Sequence, residues 1–179
     1  MKIGVLALQG SVSEHHMCLV RLGVDVVDVR EPSDLKGLKG LIMPGGESTT
    51  LRKLLINVGL WNTISESDIP IMATCAGAIL MGKSDDSTFG KMDFRIDRNY
   101  YGRQKDSFEK DINLGSNRIF RGIFIRAPGI VSRGNKTKAI AWDGEMVVGC
   151  MMDRHMALTF HPELTDDLTF HQMWIEGLK

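Results

Sequence analysis

Gly40-Leu41-Ile42-Met43 and Pro70-Ile71-Met72-Ala73-Thr74 constrain the fold most, because each run is apolar almost throughout yet too short for a buried helix. Such runs suit strands covered on both faces, the environment of a parallel sheet between two helical layers. The segments around them keep the alternation. Lys2–Leu8 reads as a first strand, and Ser13–Leu22 as a helix with Met17, Val20 and Arg21 at helical spacing and Gly23 as its stop. Val24–Val29 follows as a second strand. Ser48 opens another helix on which Leu51, Leu54, Leu55 and Val58 share a face, and Ala76–Met81 turns helical directly after a strand. This order is that of an α/β protein.

Beyond Gly82 the pattern becomes strand-rich: Asp93–Asp97, Gly122–Arg126, Lys138–Trp142, Met146–Met151 and Met156–Phe160, separated by Gly, Asn and Asp turns. Thr165–Leu178 is expected to form a closing helix, and Lys83–Thr88 and Asn113–Asn117 exposed loops. With no repeat or linker, the 179 residues suit a single domain.

Basic and acidic residues balance at 22 each, so the chain lacks the net positive field that favours nucleic acid or an anionic membrane. The longest mainly apolar stretch, Ile69–Met81, is broken by Pro70, Thr74 and Gly77 and is shorter than the roughly 20 residues of a spanning helix. Lys2–Leu8 is not preceded by a basic, an apolar and a cleavage region, so a cytoplasmic location is expected, without nucleic-acid or membrane partners. The three cysteines, Cys18, Cys75 and Cys150, are odd in number and far apart, which fits neither a disulfide framework nor a paired-cysteine metal site. No histidine or carboxylate spacing spells a metal site, and none is expected.

Thr74-Cys75-Ala76-Gly77 sets a cysteine between an apolar strand and a helix, with small residues around it. A nucleophile elbow needs this arrangement, since the tight turn excludes bulk and the helix N-terminus favours a thiolate. The alternative, a small buried hydrophobe, is the reading for Cys18 and Cys150, which lack such a turn. A catalytic thiol needs a base, and in Phe160-His161-Pro162-Glu163 the acid stands two residues past the histidine, on the same side if the backbone stays extended. Glu163 would then orient the His161 ring. His15, His16 and His171, on helices, and His155, in a turn, are given surface or capping roles. Pro44-Gly45-Gly46-Glu47-Ser48 joins a strand end to a helix start, so its backbone can approach a ligand and supply an oxyanion donor. It also fits an ordinary strand-to-helix turn capped by Ser48. Ala76 N–H is the second candidate donor.

Taken in order, these three motifs resemble those of the triad glutamine amidotransferases. Within that group, Leu6–Gly10, Arg98–Gln104, Ser107–Glu109 and Phe124–Pro128 are similar to the glutaminase subunits of pyridoxal 5'-phosphate synthase. The resemblance runs from Lys2 to about Leu168. It implies an α/β, flavodoxin-like three-layer sandwich with a mostly parallel central sheet. It further implies hydrolysis of L-glutamine to glutamate and ammonia by Cys75, His161 and Glu163, without a cofactor. The ammonia would pass to a separate synthase subunit, within a large hetero-oligomer, that builds pyridoxal 5'-phosphate from ribose 5-phosphate and glyceraldehyde 3-phosphate. Gly46, Glu47, Ser48, Arg98, Ile125 and Arg126 match glutamine-contacting positions, Gly46 and Ala76 the oxyanion hole, and Gln9 a position near the partner. Arg98 and Arg126 also suit structural salt bridges. Ala73 stands where relatives often carry glycine, and Gly82–Gly90 looks abbreviated. Two other readings remain: a cysteine hydrolase or amidotransferase serving a different synthase, and a non-catalytic scaffold subunit.

Overall fold

The computed structural model describes residues 1–101, 107–115 and 117–179. Gly102, Arg103 and Gln104, part of the Arg98–Gln104 motif, lie outside the described residues. The principal sheet has nine strands in the order β2-β1-β3-β4-β11-β10-β9-β6-β7. β1 (Lys2–Leu6), β2 (Asp25–Val29), β3 (Gly40–Met43), β4 (Ile71–Thr74) and β11 (His155–Leu158) run parallel. β10 (Met146–Met152), β9 (Lys138–Asp143), β6 (Ser107–Asn113) and β7 (Ile119–Ile125) extend it antiparallel. β5 (Phe94–Asp97) and β8 (Gly129–Arg133) form a separate antiparallel pair.

The apolar strands are buried on both faces, as their composition demands. Leu41, Met43, Ile71 and Ala73 face one core, with α2 (Ser48–Asn57), α3 (Leu60–Glu66) and α4 (Ala76–Met81) supplying Leu51, Leu55, Leu60, Ile64 and Ile79. Ile42 and Met72 alternate to the other face, against Leu19 of α1 (Val12–Arg21) and Phe170, Trp174 and Ile175 of α5 (Thr169–Glu176). Helices thus cover both faces of the parallel half, giving the three-layer α/β architecture.

Several boundaries differ from the sequence expectation for identifiable reasons. β1 stops at Leu6 because Ala7–Gly10 turns toward the site, and β11 stops at Leu158 for the same reason. Gly59, at φ 77°, ends α2 and starts α3, a helix the apolar spacing had not separated. The closing helix begins at Thr169 rather than Thr165, because Thr165 and Asp167 side chains hold a turn ahead of it. β6 and β8 were not anticipated. Each has few buried positions, Ile112 being the one fully buried residue of β6.

The phase of α1 is also corrected. Met17 and Val20 are 60% and 64% exposed, while His15, Cys18 and Leu19 form the buried stripe. His155 begins β11, half-buried, with Nδ1 accepting from Ile71 N–H, instead of occupying a turn.

Candidate active site

β4 and β11 are adjacent and parallel, with Thr74 opposite Leu158, so both deliver their following residues to the same edge of the sheet. Cys75 N–H continues the ladder to Leu158 C=O at 2.8 Å. The chain then turns sharply: Cys75 has φ 48° and ψ −108°, and α4 begins at the next residue. A non-glycine residue at positive φ is held at a cost of about 1–3 kcal/mol, so the packed strand and helix on either side impose this conformation. Gly77 is required beside it, because a Cβ there would stand 2.3 Å from Met43 C=O. Ala73, fully buried on the α4 side, fits the elbow without displacing it.

His161 arrives from β11 and is fixed by its N–H bond to Ile123 C=O at 2.8 Å. Its Nδ1 lies 2.7 Å from Glu163 Oε1, the contact the sequence led us to expect. The path is different, however. Residues Pro162–Leu164 form a 3-10 turn instead of extended chain, and Pro162 suits its first position because no N–H is needed there. With Nδ1 engaged, Nε2 is the ring nitrogen left for Cys75, which lines the same cleft as His161. Cys75 Sγ also lies 3.6 Å from Ile125 C=O.

Charge and burial act strongly on the groups around the cleft. Burial would lower the His161 pKa, but pairing with Cys75 and Glu163 raises it to about 10, so the ring is an imidazolium at neutral pH. Burial likewise opposes ionisation of Glu163, yet the imidazoles of His15 and His161 hold its pKa at about 2. Cys18 and Cys150 are pushed up, by burial foremost, to about 11 and about 12. Both are inert packing thiols at neutral pH.

A cleft of about 560 Å³ opens on this edge, lined by Gly46, Glu47, Ser48, Cys75, Ala76, Arg98, Ile125, Arg126 and His161. Every sequence-derived candidate except Glu163 and Gln9 therefore lines one cavity, and those two lie directly behind it. Gly46, at φ 124°, sits against Gln9, whose Nε2 donates to Glu47 C=O at 2.9 Å. Glu47, rather than Ser48, caps α2, accepting from Thr49 and Thr50 N–H. Its carboxylate is held near pKa 2: burial opposes this, and the Thr49 and Thr50 hydrogen bonds overcome it. Arg98 joins Glu47 at 2.8 Å and Asp86 at 2.7 Å, so it bridges the loop to the 82–90 segment. Arg126 is exposed at φ 46° and makes no ion pair among the described residues. A second depression, about 720 Å³ and lined in part by Tyr100, Lys110, Arg133 and Asp143, contains neither cysteine nor histidine.

Asn99 and Ser107, which the sequence offered only within the resemblance motifs and without a site role, also line the cleft, and Asp86 holds Arg98. The larger omission is His15 and His171. Both are fully buried, and His15 Nε2 lies 3.5 Å from Glu163 Oε2. Their signal was available, because His15 shares the stripe of Cys18 and Leu19, and His171 that of Phe170, Trp174 and Ile175. Among the described residues no cluster of three or more His, Cys, Asp or Glu side chains is arranged to hold a metal. No described helix is long and apolar enough to cross a membrane.

An open α/β sheet with a cysteine on a strained strand-to-helix turn, beside a histidine that follows the next parallel strand, defines the class of fold and site to which this chain belongs. Comparison with known sequences narrows the class: the chain matches the SNO glutamine amidotransferase family over residues 5–179 and belongs to it. It is 40% identical over 185 residues to a protein of Pelotomaculum thermopropionicum named pyridoxal 5'-phosphate synthase subunit PdxT, spanning 98% of this chain and 94% of that one. A relative of the same name in Methanocaldococcus jannaschii is 43% identical over 172 residues, covering 93% and 92% of the two chains. A crystal structure described as glutamine amidotransferase superposes with a TM-score of 0.91 at 37% identity, over 98% of each chain. PurLQS from Thermotoga maritima shares the fold, with a TM-score of 0.72 at 15% identity over 99% of each.

Proposed function

We propose that this chain is the glutaminase subunit of a pyridoxal 5'-phosphate synthase, hydrolysing L-glutamine through Cys75, His161 and Glu163 and passing ammonia to a separate synthase subunit. The observation that carries the reading is the convergence of a positive-φ cysteine and a histidine on one cleft, with a buried carboxylate bonded to the histidine from behind. The family description supplies glutamine, and the names of the relatives supply the synthase.

In this mechanism Cys75 Sγ, as thiolate beside the His161 imidazolium, attacks the carboxamide carbon of glutamine. Negative charge develops on the amide oxygen, where backbone N–H groups of Gly46 and Ala76 are the proposed donors. The carbon–nitrogen bond breaks, and His161 gives its proton to the departing ammonia. A water that His161 deprotonates then attacks the thioester, releasing glutamate and restoring the thiol. Glu163 keeps the ring oriented and stabilises its charged form. The substrate's α-carboxylate suits Arg126, which is exposed at the cleft, and its ammonium suits the Glu47 side, where Arg98 offsets part of the charge.

The Gln9 contact to the Gly46-Glu47 backbone suggests how a partner would act on the site. Rotation of the Gly45-Gly46 peptide exchanges an N–H for a C=O in the cleft, and only the N–H stabilises the oxyanion. A docked synthase would favour the productive state. Glutamate release by the free chain is therefore expected to be at least about tenfold slower than with saturating synthase, since one oxyanion donor is worth about 3–4 kcal/mol. Gln9→Ala should reduce that activation. Equal rates with and without the synthase would mean that the loop is preformed and the coupling wrong; no glutamate under either condition would overturn the glutaminase reading.

A further inference from the structure

Behind the proposed triad lies a second row of buried polar groups that the mechanism above does not use. Glu163 Oε1 is taken by His161, whereas Oε2 is buried and lacks a well-aligned hydrogen-bond donor among the described residues. His15 Nε2 stands 3.5 Å from that oxygen and 3.4 Å from Thr74 Oγ1, the residue before the nucleophile. On the other side of the ring, His15 Nδ1 lies 2.9 Å from His171 Nε2. His15 comes from α1 and His171 from α5, the two helices that cover this face of the sheet.

One assignment of protons satisfies these contacts together. Nε2 of His15 faces the ionised Glu163 carboxylate, which can only accept, so the hydrogen belongs on Nε2, with the Thr74 hydroxyl free to rotate as acceptor and Nδ1 left as a lone pair. His171 then donates from Nε2, and its own Nδ1, buried and without a partner among the described residues, needs no proton. The donors run in one sense, from α5 through α1 to the carboxylate. We propose that His15, locked by His171, is a positioning residue whose Nε2–H holds the free oxygen of Glu163, so that the other oxygen keeps His161 presenting Nε2 to Cys75.

The inference rests on the triad reading and deepens it. Two fully buried imidazoles lose their hydration, and two apolar side chains would fill the same space at lower cost. Burial keeps both rings uncharged, since it lowers the pKa of each, that of His171 to about 3. Neutral rings orient the carboxylate through an N–H dipole without competing with His161 for the proton.

The test is a double-mutant cycle on glutamate formation by the full chain with its synthase partner, with folding checked by thermal melts. His15→Leu is expected to lower kcat about tenfold or more while KM stays within about twofold, and His15→Gln, whose amide can donate from a similar place, to recover most of the loss. In a Glu163→Gln background, adding His15→Leu should change kcat by less than about twofold, because His15 acts only through that carboxylate. If His15→Leu does not fold, His171→Leu serves instead, with a loss of about threefold in wild type that vanishes in the Glu163→Gln background. Wild-type kcat in a folded His15→Leu chain, or an equal loss in both backgrounds, overturns the inference. Turnover that survives Cys75→Ala overturns the triad reading itself, and is visible before any His15 variant is measured.

Discussion

Cys75→Ala and His161→Asn are each expected to reduce glutamate release by about 10⁴-fold or more, with glutamine binding little changed. The size of the effect follows from the geometry. No other side chain on the described cleft wall offers a thiol, and Cys18 and Cys150 are buried elsewhere with pKa values pushed to about 11 and about 12. In the proposed mechanism His161 serves twice, as acid toward ammonia and base toward water, so its loss would block both halves of the cycle. Glu163→Gln should be roughly a hundredfold milder than loss of the nucleophile, since an orienting group is less indispensable. Steady-state assays of the three variants give the ranking. A Glu163→Gln chain with wild-type turnover would mean that the 2.7 Å contact does not orient the base.

The second large effect is on stability in mild acid. His171 is held neutral, burial being the main cause and His15 the next, with its pKa lowered to about 3, and burial lowers His15 as well. Half-buried His155 shifts in the same direction. For such a base the unfolded chain takes up a proton below its ordinary pKa of 6.5 while the native chain does not. The histidine contribution is therefore full above 6.5 and is lost as the pH drops below it, His171 following a slope of about 1.4 kcal/mol per pH unit until the pH nears 3. Glu163 acts in a lower window: its contribution is present above 4.5 and lost as the pH falls toward 2. His161 acts at the alkaline end, its contribution being complete below 6.5 and lost as the pH rises through about 10. Domains of this size are stable by only about 5–15 kcal/mol, so two pH units remove a large share. Urea midpoints should fall steeply between pH 6.5 and 4.5, and His171→Leu should flatten that slope. Constant midpoints across this range would mean that the buried histidines titrate normally.

How much was legible depended on whether a residue's role was written into its own neighbours. β3 (Gly40–Met43) and α4 (Ala76–Met81) have the bounds expected, because unbroken apolar runs end at Pro44 and at Gly82. The site motifs were legible because each occupies one turn after one strand. β6 was not, since Glu109, Lys110 and Asp111 fall within it and Ile112 is its only fully buried residue. α1 was placed in the wrong phase because Met17 and Val20 are apolar yet exposed, while the buried stripe pairs Cys18 and Leu19 with a histidine, a residue type more often met at the surface. The His15–His171 contact joins residues 156 apart in the chain, and no local pattern reports it. The route from His161 to Glu163 was misread for a different reason: a 3-10 turn and an extended segment can bring the same two side chains together.

Cys75 alone is proposed as an activated nucleophile directed at a glutamine side chain, and a glutamine-like electrophile would distinguish it from the other two cysteines. The chain would be treated with limiting reagent at neutral pH and mapped by peptide mass spectrometry, with excess L-glutamine as competitor. One adduct is expected, on the peptide carrying Cys75, suppressed by glutamine and absent in His161→Asn. Labelling spread evenly over Cys18, Cys75 and Cys150, or labelling of Cys75 that glutamine does not compete, would contradict it.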